Sequence, residues 1–594
     1  MLYKFLNLSI RLKRFIIHIA FLCPFISVNA QYYLRGEVKD DKNQPLQNVK
    51  MLLYSTHLLY YSGVSGGFGI TTDALNDSMQ LSLDGYETKT IAIKSDQFQE
   101  ISLKPISLNS SGNNLKLVSI TKNLDKNSRF HLYEGDESYF SIIENDVVDA
   151  NQYPSTSFAL NIDKASYSNI RRFLNMHTDV PPDAVRIEEL LNYFDLHYHE
   201  PDKDDVFKIE SQVSDCPWNA KNKLLYLDIN AHKINLDKVP PCNLVFLIDA
   251  SGSMDMPNKL PLLKAAFQML VKNLRAVDTV SIVIFGGDVS LWLPPTSGAE
   301  KQKIIQSIEE INADGDTPGQ AAIEMAYKTA EKVFIKNGNN RVILATDGDF
   351  NVGETKEDAL ENLIIKERQS GVYLTCLGVG VGNYKDSKLE ALAKKGNGNY
   401  AYLDDIREAE KVLVKEMTQT FFAVADNVFL NVQFNPQVIK QYRLIGFDNQ
   451  RDAISDSTTQ LEGGEIGSGN SLMAIFEVTP VSDRSIFLDT LSKNNIAQVS
   501  LKYDVCNAPL HREIEYTCPD NYAEFKSIDK EYQFGAALVM FGMKLRDSKY
   551  LGNADWTDIE TIANNSYDSN DYLQKQFLQL IEEAKKIYGK RKKK

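Results

Sequence analysis

Cysteine is scarce in this chain and poorly spaced for chemistry. There are 6 cysteines in 594 residues, and beyond the N-terminal segment Cys216, Cys242, Cys376, Cys506 and Cys518 are odd in number and contain no CxxC pair. That pattern excludes a disulfide scaffold and a zinc ribbon. Cys376 lies in the apolar run VYLTCLGVG and reads as a buried, inert thiol. Cys506 and Cys518 flank a hairpin, LKYDVC-NAPL-HREIEYTC, which leaves a bridge between them open. No HExxH and no P-loop occurs, and Gly378, Gly380 and Gly382 alternate without the GxGxxG spacing that cradles a dinucleotide. Positive charge is in deficit, 65 basic against 79 acidic residues for a net −14, which argues against a general nucleic-acid or anionic-membrane binder. The basic tail KKIYGKRKKK at 585–594 reads as a solvated helix end. After the first thirty residues no apolar run reaches the roughly eighteen residues of a membrane-spanning helix.

What is present begins with an export signal. Basic residues in MLYKFLNLSIRLKR precede the apolar FIIHIAFLCPFISV and the small residues around Val28-Asn29-Ala30, so residues 1–30 read as a signal peptide and the mature chain as starting near Gln31. Leu22 and Pro24 around Cys23 do not suit lipid attachment. The expectation is an exported, soluble protein, the periplasm preferred and the cell surface left open. Its length requires several domains.

Residues 31–105 alternate apolar and polar in short runs broken by Gly, Asn and Asp, as a small β-sandwich does. Within them Gly63-Val64-Ser65-Gly66-Gly67 matches a nucleophile elbow in letters, but no buried strand precedes it and no helix follows, so it reads as a loop. The sequences LRGEVKDDKNQPLQNVKMLLY, GVSGGFGITT and LDGYETKTIAI resemble a carboxypeptidase regulatory-like domain. That resemblance implies a binding or spacer module without catalysis. Residues 106–150, rich in Asn, Ser, Asp and Lys without period, read as a linker.

From 151 to 240 a helix, PPDAVRIEELLNYF, precedes strands in VFKIESQVSD and LLYLDINAHKI. From 241 to 420 strand-like and helix-like segments alternate, which means a mostly parallel sheet with helices on both faces. Residues 421–524 return to β, and 525–594 to helix, where Leu573, Phe577, Leu580, Ala584 and Ile587 form one apolar stripe. The strands on either side of the α/β segment are expected to belong to one sheet system that this segment interrupts.

The run NLVFLIDASGSMDMP stops at an aspartate followed by serines at alternate positions. Open α/β sheets bind ligands at the C-terminal ends of such strands. A hard divalent cation wants oxygen ligands, and Asp249, Ser251 and Ser253 supply one carboxylate and two hydroxyls. Thr317, before the helix that opens at Pro318, and Asp347, ending the strand RVILATD, are candidates for the rest of the shell. Singly, Thr317 is a helix cap and Asp347 a turn residue. Together the five positions resemble the metal-ion-dependent adhesion site of the von Willebrand factor type A (VWA) domain, and the resemblance covers about 241–420. The sequences STSFALNIDKASYSNIRRFLN, TDGDFNVG, YRLIGF and GGEIGSGNSL extend the likeness to one bacterial branch of that family. Asp347 to Gly353 mimics the start of an EF-hand loop, but Val352 stands where glycine is required, which argues against a second ion, Ca²⁺, near Asp349.

The resemblance implies a Rossmann-like doubly wound domain flanked by β-sandwich segments. It also implies Mg²⁺ or Mn²⁺ as cofactor, held by Asp249, Ser251, Ser253, Thr317 and Asp347, and a protein partner that completes the shell with an exposed Asp or Glu. The reading is therefore a non-enzymatic, metal-dependent binding or adhesion protein. The alternative is a Mg²⁺-dependent hydrolase with Asp349 as base, although Ser251 stands where an aspartyl phosphotransferase needs its second acid.

Overall fold

The computed structural model describes residues 32–104, apart from 57, 64, 73, 84, 85 and 87, and 130–589, apart from 133–136, 161–162, 203–204, 235–238, 316–318, 349–356, 448–463, 482–494 and 507–510. The signal segment, Thr317, Asp349 and the basic end of the tail lie outside these residues. The chain divides into two units between residues 112 and 113.

In the first unit a three-stranded and a four-stranded sheet share one apolar core, with Leu34 and Val38 from one and Met51, Leu53, Met79 and Leu81 from the other. Ser65 lies in a tight loop in which the Gly66 N–H donates to the Gly63 carbonyl, and a strand, Gly67–Thr72, follows it. No elbow geometry exists there.

The second unit is built around an interrupted sheet. Strands Phe207–Asp215 and Lys223–Ala231 precede the α/β segment, and Ser471–Pro480 follows it. They are neighbours in one six-stranded sheet, with Leu225 opposite Phe476 and Ile229 opposite Leu472. Side chains alternate across the pleat. Leu225, Leu227 and Ile229 face a core shared with Leu430, Val432, Val499 and Leu501 of a second sheet. Leu224 and Tyr226 face the helices Lys530–Leu545, Trp556–Ser566 and Tyr572–Gly589. Phe577, Leu580 and Ala584 of the expected C-terminal stripe are buried in that helical layer, with Leu573 and Ile587 packed at its margin.

The expected linker is packed well before residue 150. Tyr139 is fully buried, and Arg172 donates to both oxygens of Glu137 at 2.7 and 2.9 Å. Polar composition misled here because a buried ion pair looks like solvated charge in sequence. The hairpin register also settles the cysteines: Asp504 pairs with His511 at the turn and Ala497 with Cys518 at the far end. Cys506 and Cys518 thus stand about 30 Å apart at strand rise, and both are free thiols.

In the α/β segment the strand order is Asp288–Ser297, Thr279–Gly286, Cys242–Asp249, Asn339–Thr346, Tyr373–Val379, Tyr400–Leu403. All neighbours are parallel except the first pair. The antiparallel Asp288–Ser297 strand carries Pro294 and Pro295, tolerable on an edge but a poor strand signal in sequence. Leu244, Phe246 and Ile248 pack under the helices Leu260–Asn273 and Lys301–Glu309; Val245 and Leu247 pack against Gly319–Lys332 on the other face. Every residue of Cys242–Asp249 is buried, as a central strand covered on both sides requires. Buried ion pairs lock the flanking region onto this segment: Arg171, in the helix Ala165–Asn175, binds Asp404 and Glu408, and Arg186, just before the helix Ile187–Leu191, binds Asp386.

Candidate functional site

From Cys242–Asp249 the chain passes to the neighbour on one side, Thr279–Gly286; from Asn339–Thr346 it passes to the neighbour on the other, Tyr373–Val379. The order reverses between these two central strands. A crevice opens at their C-terminal ends, the position where open α/β sheets take ligands. Asp249 ends the first strand and Asp347 follows the second, both buried.

After Asp249 the chain stays extended through Ser251 and enters a short 3₁₀ turn, Gly252–Met254, anchored by the buried Met254. Neighbouring loops clamp this one through backbone hydrogen bonds. The Ala250 N–H donates to the Phe285 carbonyl at 2.8 Å, the Asp314 N–H to the Ala250 carbonyl at 2.7 Å, and the Gly252 N–H to the Gly315 carbonyl at 3.1 Å. Gly286 permits that approach, because a Cβ there would lie 2.4 Å from the Ala250 carbonyl oxygen. The chain just before Thr317 is therefore fastened to the Asp249 loop, while Thr317 itself lies outside the described residues.

Asp249, Ser251, Ser253 and Asp347 converge. The Ser251 N–H donates to Asp249 Oδ1 at 2.9 Å and Thr346 Oγ1 donates to Asp249 Oδ2 at 2.5 Å. Ser251 Oγ and Ser253 Oγ are 3.3 Å apart, and Ser253 Oγ donates to Asp347 Oδ2 at 2.9 Å. Burial pushes the Asp249 carboxyl up to about 6; the hydrogen bonds from Thr346 and Ser251 oppose the rise and the nearby Asp347 charge adds to it. Two carboxylates and two hydroxyls form a hard, all-oxygen donor set, which suits Mg²⁺ or Mn²⁺ and does not suit a thiolate-seeking ion.

Sequence reasoning missed three residues here. Lys259, almost wholly buried, donates from Nζ to Asp347 Oδ2 at 2.8 Å and to Asn383 Oδ1 at 3.0 Å. Asn383 Nδ2 donates to Asp347 Oδ2 at 3.0 Å, and Thr346 holds Asp249. Only position ahead of a helix distinguishes Lys259 in sequence. The alternating glycines contribute here: Gly380, at φ 88°, leaves the space through which the Lys259 stem passes, since a Cβ would lie 2.5 Å from Lys259 Cε. Close packing accounts for Gly380, and for Gly378 against the Tyr384 ring, while Gly382 is set by its φ of 89°.

Comparison with known proteins places the chain in a family. Residues 243–415 match the von Willebrand factor type A domain, 133–226 match the von Willebrand factor family description, and 419–587 match the C-terminal family described for YfbK. YfbK of Escherichia coli (strain K12) is 36% identical over 469 residues, covering 76% of this chain and 81% of that protein. The chain belongs to the YfbK family of VWA proteins. The human inter-alpha-trypsin inhibitor heavy chain H2 is 27% identical over 215 residues, which span 34% of this chain and 21% of that one. Among solved structures, a von Willebrand factor type A protein from Catenulispora acidiphila matches at 14% identity and TM-score 0.38, over 64% of this chain and 90% of its own. VWA domains commonly bind a divalent metal, and VWA proteins typically mediate protein–protein interactions and are generally non-enzymatic. No helix among the described residues is long and apolar enough to cross a membrane.

Proposed function

We propose that this VWA protein is an exported binding protein whose α/β domain engages an acidic residue of a protein partner through Mg²⁺ or Mn²⁺. In this reading Asp249, Ser251, Ser253, Thr317 and Asp347 hold the ion. The observation that carries it is the hydrogen bond from Ser253 to Asp347, which joins two loops 94 residues apart into one oxygen-lined cluster at the strand-order switch.

The chain's own groups explain the choice of ligands. Asp249 and Asp347 anchor positive charge, while the serine hydroxyls add oxygens without adding charge. A bound cation would supply an electrophilic position that an incoming carboxylate can complete. Thr346 and the Ser251 N–H fix the Asp249 carboxylate, so it need not reorganise when a partner docks. The ion pairs from Arg171 and Arg186 join the domain to the flanking segments on either side of residue 180, so contact at the crevice bears on the rest of the second unit. The β-sandwich segment 31–105 would act as a spacer or accessory binding module, and the N-terminal sequence supports export, with the periplasm preferred.

Pull-down from envelope extract tests the reading. The wild-type chain should capture a partner in Mg²⁺ and lose it in chelator, and Asp249→Ala should capture none in either. Undiminished capture by Asp249→Ala in chelator would mean that the domain binds through another surface.

A further inference from the structure

A second cluster of ligating side chains lies away from the VWA crevice, where the segment after the helix Ile187–Leu191 meets the sheet strand Phe207–Asp215. One ligand atom from each of His197, His199 and Glu210 lies within 4.8 Å of the others. We propose that these three residues form a transition-metal site of the two-histidine, one-carboxylate kind, taking Zn²⁺ or a similar borderline cation and clasping the 197–199 segment to the sheet.

The backbone is already set for it. His197 sits at φ 53°, in the left-handed region, which turns the chain between it and His199. Its neighbour Leu196 is buried, and the Leu196 carbonyl accepts the Ser471 hydroxyl at 2.6 Å. The His197 ring lies against Tyr532, centroids 4.4 Å apart, and the His199 ring against His197 at 4.5 Å. His199 Nδ1 is 2.5 Å from Glu210 Oε2.

A tetrahedral zinc shell places ligand atoms about 2 Å from the ion and ~3.5 Å from one another, so His199 Nδ1 and Glu210 Oε2 must part from 2.5 Å while no ligand atom has to draw in from beyond 4.8 Å. Side-chain rotation can supply both adjustments, because the His199 and Glu210 side chains keep 48% and 31% of their surface open. Lys208 Nζ, 3.2 Å from Glu210 Oε1, opposes a cation and would have to swing out, which its 39% exposure allows. With three protein ligands one coordination position stays open to water. Imidazole donors separate this site from the all-oxygen crevice, since they favour Zn²⁺ over Mg²⁺.

The test uses the full mature chain, stripped with chelator, returned to excess Mg²⁺ so that the all-oxygen crevice is filled, and titrated calorimetrically with Zn²⁺. Co²⁺ is substituted in parallel to read the visible bands of a low-coordinate nitrogen-bearing site. His199→Ala removes a half-exposed ligand, and His197→Asn keeps a residue that tolerates positive φ, so both should fold, as circular dichroism would verify. The wild type should bind one Zn²⁺ saturably, each variant should weaken it at least about tenfold, and Asp249→Ala should leave it unchanged. Non-saturable Zn²⁺ uptake by the wild type, or wild-type affinity retained in His199→Ala and His197→Asn, would overturn the proposal without touching the reading of the VWA crevice.

Discussion

Lys259→Met puts the electrostatics of the crevice to a quantitative test. Met keeps the length and apolar stem that pass Gly380 but removes the ammonium from Asp347. Breaking a buried pair by removing one partner costs about 3–5 kcal/mol, because a charge is left uncompensated. Asp347 Oδ2 keeps donors from Ser253 and Asn383, so the low end, about 3 kcal/mol, is expected here. That loss should appear in chelator. In Mg²⁺ it should shrink, since a divalent ion meets no ammonium in the variant and compensates the same carboxylate. Tenfold tighter binding alone returns about 1.4 kcal/mol, so the Mg²⁺-induced gain in stability should exceed that of the wild type by at least this much. Urea unfolding of both proteins, in chelator and in excess Mg²⁺, gives the four free energies. An identical loss in both conditions, or no loss at all, would refute the reasoning that Lys259 and a cation compete for Asp347.

Thr346→Val, nearly isosteric, strips a donor from the buried Asp249 carboxylate and should cost about 1–3 kcal/mol in urea unfolding in chelator; an unchanged midpoint would mean that the hydrogen bond contributes nothing. Ser251→Asp adds an anion beside the open position, so calorimetry should show cation affinity retained or raised while capture of an acidic partner falls; undiminished capture would contradict the carboxylate-bridging step. Burial pushes Asp163, Glu189 and Glu390 each up to about 7, with nearby carboxylates adding to the rise and the Arg186 guanidinium opposing it. Because folded values lie above unfolded ones, this stabilisation is complete at acid pH and lost as pH rises through about 7. The unfolding free energy from urea titrations should therefore fall between about pH 5 and about pH 8, by on the order of 3 kcal/mol for each carboxyl that titrates, and Glu390→Gln should flatten the slope.

The sequence was most informative where burial and periodicity coincide. An apolar run ending at Asp249, and a second ending at Asp347, suffice to locate two strand ends, and parallel α/β topology then places them side by side. The interrupted sheet was legible because Leu224–Ile229 and Leu472–Val478 are both too apolar for an isolated hairpin. What could not be read was partnership between charges. Lys259, Arg171, Arg172 and Arg186 look like surface residues in sequence, yet each is buried against an acid brought from a distant part of the chain or, for Arg172, from the supposed linker. Nor does spacing reveal that His197 and His199 face Glu210, since only the turn at His197 and the sheet register bring them together.

The central claim is that the oxygen cluster at the strand-order switch holds a divalent cation, and the most direct measurement is a Mn²⁺ titration of the full chain followed by paramagnetic resonance, wild type against Asp249→Ala. The account predicts one Mn²⁺ per wild-type chain, displaced by excess Mg²⁺, and none at that site in a variant that remains folded. Equal, Mg²⁺-displaceable Mn²⁺ binding by Asp249→Ala, or no Mn²⁺ bound by the wild type, would contradict it.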